Sequence, residues 1–249
     1  MKHELLLSEE QQKNLSDDQI KTLNNYCRRQ AFENSELPFP IALGFDEDEK
    51  IIIENLPDLG NIFLFGATGM ADYYMQLLYL QIMNVRDEFR CDLTVFDSSN
   101  LRELNRLAPS YNYITGSPED LVDVLNRIER AAAKRREGHI QRHEIFFIYL
   151  GYVKISEAER EQLQRILSED LKSIGIQIIV CATNSQSTDT LLPFADYFQT
   201  TIGGPTVGIA DYSNLRSYHF LMRCGESYRH IDSKYGINIS DSKDETIKD

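Results

Sequence analysis

No apolar run in this 249-residue chain approaches the roughly 18 residues that a membrane helix requires. The opening, Met1-Lys2-His3-Glu4, runs through Leu5-Leu6-Leu7 into acids and is too short and too polar for a signal peptide. Any membrane location is therefore expected to come through partners or further segments. No C-x-x-C pair occurs: Cys27, Cys91, Cys181 and Cys224 stand far apart, which signals neither a zinc site nor a disulfide framework. Cys91 and Cys181 fall in apolar runs, where reduced cysteine acts as a small apolar side chain, and a cytosolic compartment fits. His139 and His143 have no third ligand near them, so solvated loop histidines are expected rather than a metal site. Cations are also scarce. There are 26 Lys and Arg against 39 Asp and Glu, a net charge of −13, and phosphate binding rests on Lys/Arg counterion release. That argues against a general grip on nucleic acid. Lys134-Arg135-Arg136 and Arg142 are the best local basic patch, and basic residues closing a helix against its dipole are the plainer account of them.

What the chain does have is the make-up of an α/β domain. Hydrophobic residues are 42% and charged residues 26%, ordinary for a globular protein with a sizeable core. The organising stretch is Ile62-Phe63-Leu64-Phe65-Gly66-Ala67-Thr68-Gly69-Met70-Ala71-Asp72-Tyr73. An apolar strand enters a glycine-bounded turn, and Met75, Leu78, Tyr79, Ile82 and Met83 continue at helical spacing. Before it, Ser16-Asp17-Asp18-Gln19 caps a helix in a polar arm, and Pro38 and Pro40 break that arm from the main domain. Ile41–Gly44 and Ile51–Ile53 flank an acidic turn, a hairpin whose spacing lacks the order of a calcium loop. After the central helix come the strand Cys91–Asp97, leucines 101, 104 and 107 at helical spacing, and an extended piece at Tyr111–Ile114. Ser117-Pro118-Glu119-Asp120 then opens a long helix. Glu144–Tyr152 is an apolar strand, Ser156 to about Ser173 a helix capped by Gly175, and Ile176–Ala182 another apolar strand. Tyr197–Ile202 and Ser217–Arg223 are expected at the sheet edges. Continuous apolar strands alternating with amphipathic helices imply a mostly parallel sheet covered on both faces. The domain limits expected are an N-terminal helical arm over 1–37, one α/β domain over 38–239 and a polar tail over 240–249.

The strand, turn and helix form the layout of a phosphate loop, but G-x-x-x-x-G-K-[ST] fails at its chemical end. Gly66 fits; Ala71 stands for the second glycine, Asp72 for the lysine and Tyr73 for the Ser/Thr. At about 4 Å and an effective dielectric near 20, an attraction of about 4 kcal/mol becomes a repulsion of similar size. Gly66, Thr68 and Gly69 keep only the shape of the turn. The acid expected after the buried strand at 145–149, which would hold Mg²⁺, is also missing, because Leu150 and Gly151 come next. Losing cation, hydroxyl and acid together argues against Mg-ATP hydrolysis here. Asp97 ends a strand at the carboxyl edge, where α/β sites form; capping the next turn is the preferred reading of it.

The chain resembles the FtsK/SpoIIIE-type ring ATPases. Pro38-Phe39-Pro40-Ile41-Ala42-Leu43-Gly44 is similar to their P-x-x-ϕ-x-ϕ-G lead-in, and Gly66-Ala67-Thr68-Gly69 to the first half of G-T-T-G-S-G-K-S. Val95-Phe96-Asp97-Ser98-Ser99-Asn100-Leu101-Arg102-Glu103-Leu104 resembles D-F-G-x-x-x-L-x-x-L, the version in the EssC/EccC-like branch that drives type VII secretion. Gly175-Ile176 with Ala182-Thr183-Asn184 resembles the strand before the family's sensor position. The resemblance spans about 38–202 and implies a P-loop NTPase-like (RecA-like) fold. It is greatest to a degenerate C-terminal module of an EssC-type protein.

That resemblance implies a pseudo-ATPase module that recognises or docks secreted proteins, WXG100-like or larger, and regulates the motor beside neighbouring ATPase modules. It carries Gly66, Thr68, Gly69, Asp72, Tyr73, Leu150 and Gly151 as vestigial nucleotide-site positions, with no catalytic residue and no metal ligand. No cofactor is expected, no nucleic-acid partner and no direct membrane contact; the expected place is the cytoplasmic side of a membrane-associated complex. The alternative is a divergent, active translocase that binds ATP and Mg²⁺ through groups from elsewhere. A DNA translocase is disfavoured by the charge, and a purely structural spacer also fits the residues.

Overall fold

The computed structural model describes residues 37–48, 50–66, 69–85, 91–98, 104, 112–116, 118–138, 142–151, 155–206, 209–216 and 219–233. The expected arm (to residue 36), Ala67, Thr68, Ser99–Arg102, Leu107, His139 and the tail from 240 lie outside the described residues.

Among the described residues ten strands form one sheet: β1 (Pro40–Phe45), β2 (Ile51–Asn55), β3 (Ile62–Phe65), β4 (Asp92–Asp97), β5 (Asn112–Thr115), β6 (Glu144–Tyr149), β7 (Ile176–Ala182), β8 (Thr200–Gly203), β9 (His219–Cys224) and β10 (Ser227–Asp232). The order is β2-β1-β10-β9-β8-β3-β7-β6-β4-β5. The block from β8 to β5 is parallel, and β9, β10, β1 and β2 add an antiparallel wing. The helices are α1 (Met70–Val85), α2 (Pro118–Arg136), α3 (Glu157–Leu167), α4 (Ser185–Leu191) and α5 (Ala210–Ser213). None among the described residues is long and apolar enough to cross a membrane.

Strand periodicity of two divides the core. Ile62 and Leu64, Ile145, Phe147 and Tyr149, and Ile179 and Cys181 pack with Tyr73, Met75, Leu78 and Tyr79 of α1 on one face. Phe63 and Phe65, Phe146, Ile148 and Leu150, and Ile178 and Val180 pack with α2 and α3 on the other. Every residue of β3 and β7 is buried for that reason, and an α/β sheet covered on both faces is what results. The α3 start arises from its sequence: Ser156 Oγ accepts from the Glu159 N–H, and the Glu159 carboxylate accepts from the Ser156 N–H, a capping box.

Three expectations need correction. The segments expected at the edges, now β8 and β9, are interior, because β10, β1 and β2 extend the sheet past them. β10 had no apolar run to reveal it: its first four residues are exposed, and they pair with β9 in antiparallel register. The helix expected to reach Ser173 stops at Leu167, where the Ser168 hydroxyl donates to the Gln164 carbonyl. A separate 3₁₀ turn, Lys172–Ile174, precedes Gly175.

Candidate functional site

The carboxyl ends of β3, β7 and β6 lie side by side, β7 between the other two. There the chain changes direction across the sheet, the place where α/β proteins build sites. Gly69 opens α1 with φ +91°, and an added Cβ would meet nothing within 4 Å, so backbone conformation rather than space calls for glycine. The Gly69 carbonyl accepts the first helical bond, from the Tyr73 N–H (3.1 Å).

Asp72, at the lysine position, turns back: its Oδ2 accepts from the Gly69 N–H at 3.1 Å. A carboxylate in a helix's first turn suits the dipole. It also takes a loop N–H that would otherwise be free for an anion. Oδ1 accepts from the Tyr149 hydroxyl at 2.9 Å, and Thr183 Oγ1 lies 3.5 Å from that hydroxyl. Tyr73 is buried in the same core cluster, and Ala71 is fully buried. Cys181 lies beneath; burial first, and the Asp72 charge second, push its thiol well above the ordinary range, so it is an inert neutral group.

The two positions expected to carry metal acids sit differently from each other. Leu150 points into the α2–α3 core. Gly151 is buried, and a Cβ there would lie 2.4 Å from the Tyr149 oxygen and 2.5 Å from its ring Cζ. The Tyr149 ring thus occupies the space a side chain at 151 would enter. Asn184 holds this segment: its Nδ2 donates to the carbonyls of Leu150 (2.9 Å) and Gly151 (2.8 Å), while its Oδ1 caps α4 through the Ser187 N–H. Gly66 backs onto β8, where the Gly204 N–H donates to the Phe65 carbonyl at 2.8 Å.

Sequence reasoning missed Tyr149. Its signal was the alternation Ile145, Phe147, Tyr149, which aims the last member at α1. Asp97 is fully buried, accepting from the Tyr113 hydroxyl and, at 3.4 Å, from the Leu104 N–H, and so ties the end of β4 to β5 and to Leu104. His143, expected as a solvated loop histidine, is half-buried just before β6, lies 3.3 Å from Gln177 Oε1 and meets the Phe39 ring edge-on. Burial lowers its pKa. Among the described residues no cluster of His, Cys, Asp or Glu is placed to hold a metal ion.

The same arrangement of sheet and helices recurs in known structures. Thermomonospora curvata EccC (ATPases 2 and 3), solved in complex with a signal sequence peptide, superposes with a TM-score of 0.59 at 15% identity, covering 80% of this chain and 41% of that one. The chain has the fold of a P-loop ATPase domain. EssC (ATPases 2 and 3) from Geobacillus thermodenitrificans gives 0.55 at 15% identity over 77% of this chain and 44% of that one. The pCW3 conjugation coupling protein TcpA, in its monomer form with ATPγS, gives 0.59 at 15% over 84% and 68%. The chain thus spans about two fifths of the length of the EccC and EssC two-ATPase structures. No family model and no curated protein matches it in sequence.

Proposed function

We propose that this chain is a nucleotide-incompetent module of a type VII secretion motor, serving to recognise or dock secreted proteins and to regulate the motor. The observation that carries the proposal is the closed loop. Asp72 takes the Gly69 N–H for its own carboxylate, and Tyr149 holds that carboxylate from across the sheet. An incoming β/γ-phosphate would meet an anion where it needs a cation, and would have to displace an internal acceptor from the loop. A magnesium ion fares no better. Leu150 is turned into the core, Gly151 has no donor, and Asp72 is committed to Gly69 and Tyr149. The residues present do not fit Mg-ATP.

The secretion assignment is supported by the likeness to EccC and EssC ATPases 2 and 3 together with the lead-in, D-F-G-like and sensor-like stretches of the sequence. EccC was solved with a signal sequence peptide; we extend peptide recognition to this chain by analogy of fold. The partners are then secreted proteins, of the WXG100 class or larger, and adjoining ATPase modules at the cytoplasmic side of a membrane complex.

Calorimetry with Mg-ATP to millimolar concentration tests the closed site, and no heat of binding is expected. Saturable binding with turnover lost in Gly69→Ala would bring forward the alternative, a divergent active translocase. Capture of a secreted substrate by a tandem of this domain with its neighbouring module tests the docking role; absence of capture would remove it.

A further inference from the structure

At the opposite, amino-terminal edge of the parallel block, an open cavity of about 680 Å³ lies between the C-terminal half of α2 and the starts of β4, β5 and β6. Five cations line it against two carboxylates, Asp92 and Glu144, in a chain whose net charge is −13. Two of the cations are in use. Arg135 is buried and bonded to Glu144 and to the carbonyls of Ile174 and Gly175, and Arg142 lies 3.6 Å from Asp92. Arg127, Arg130 and Lys134 are exposed on one face of α2. Among the described residues none of the three has an ion-pair partner, and Arg130 donates its Nε–H only to the Asn126 carbonyl of its own helix.

We infer that this cavity is a docking site for an acidic segment of a partner protein. The cations rise along about 10 Å of helix, one turn apart, which matches carboxylates carried two or three residues apart on an extended peptide at about 3.3 Å per residue. The buried Phe146 side chain and half-buried Ala131 give the cavity an apolar floor for the stem of such a segment. A lone phosphate is not the occupant the hollow suits. It is too small to span cations spread over about 10 Å of helix, and among the described residues no glycine-rich backbone cradle lines the hollow. A nucleic-acid strand would extend past the cavity over a chain whose net charge is −13. A short acidic segment places its charges only where the cations are. The inference does not depend on whether the loop at the other edge binds nucleotide.

The test uses the full chain and a fluorescein-labelled peptide of about eight residues with Glu at alternate positions, monitored by anisotropy at about 50 and 300 mM salt. Saturable binding is expected, weaker at high salt, and at least tenfold weaker for the matching Gln peptide. Arg130→Glu with Lys134→Glu should weaken it at least tenfold, and Arg229→Glu, in the antiparallel wing beside Glu54, should leave it unchanged. Lys134→Gln is the milder variant should the double reversal fail to fold, and a several-fold loss is expected from it. The inference is overturned by no saturation at millimolar peptide, by equal binding of the Gln peptide, by insensitivity to the reversals, or by tighter binding of a single-stranded oligonucleotide than of the Glu peptide.

Discussion

The two edges of the parallel block solve opposite electrostatic problems. At the carboxyl edge the polar side chains around the loop have internal partners: Asp72 with Gly69 and Tyr149, Asn184 with Leu150, Gly151 and Ser187. At the amino edge, Gln177 donates to the carbonyls of Leu56 and Gly60, and Arg135 closes the end of the sheet with Glu144, yet Arg127, Arg130 and Lys134 beside them have no ion-pair partner among the described residues. The polar groups named at the carboxyl edge bond to one another, while three cations at the amino edge face an open hollow.

The greatest loss is expected at the amino edge, and it separates neighbours in one basic run. Arg135→Ala leaves the Glu144 carboxylate and two carbonyls without their guanidinium and should cost about 3 kcal/mol in urea denaturation. Arg136→Ala breaks only the exposed pair with Glu169 and should cost less than about 1 kcal/mol. Equal losses would mean that the run acts only through the helix dipole.

At the carboxyl edge, Gly151→Asp restores a carboxylate to a metal-acid position, but its Cβ would collide with the Tyr149 ring. A loss of about 2 kcal/mol is expected from overpacking, seen as a fall of about 4–8 °C in melting temperature, without any gain of Mg-ATP binding. A variant as stable as the parent, or one that binds nucleotide, would show that Tyr149 does not fill the site.

Tyr149→Phe and Asp72→Ala should each cost about 1 kcal/mol, with a coupling of at least about 0.5 kcal/mol in the double-mutant cycle. Strict additivity would rule out one interlocked pair.

A pH slope is the mildest of these effects. Burial, the largest cause, depresses the His143 pKa below 6.5, opposed by its bond to Gln177 and aided by the Arg135 charge. The unfolded chain therefore binds the proton more readily. The contribution is fully present above pH 6.5 and is lost as pH falls through the lower folded value. His143→Gln should flatten the stability profile over that window; an unchanged slope would assign it to other groups.

Much of the fold was legible because burial on both faces writes long apolar runs. Ile62–Phe65, Ile145–Tyr149 and Ile176–Ala182 could be read directly, and so could the starts of α2 and α3, where Pro118 and the Ser156–Glu159 pair act within one helical turn. β10 was not legible, since its first four side chains are exposed and Ile231 alone is buried, which leaves no periodic trace. The site was half legible. The loss of lysine, hydroxyl and metal acids is a matter of residue identity, so Asp72, Tyr73, Leu150 and Gly151 declare it in the chain alone. Which group fills the gap is not, because Asp72 and Tyr149 are 77 residues apart and meet only when β6 is laid one strand away from β3. Residue order alone thus shows Asp72, Tyr73, Leu150 and Gly151 where the phosphate-loop pattern asks for a cation, a hydroxyl and acids. Folding in three dimensions is what sets the Tyr149 ring and the turned-back Asp72 carboxylate beside one another, and what gathers cations with no ion-pair partner among the described residues into one hollow, since both depend on distances that chain order does not encode.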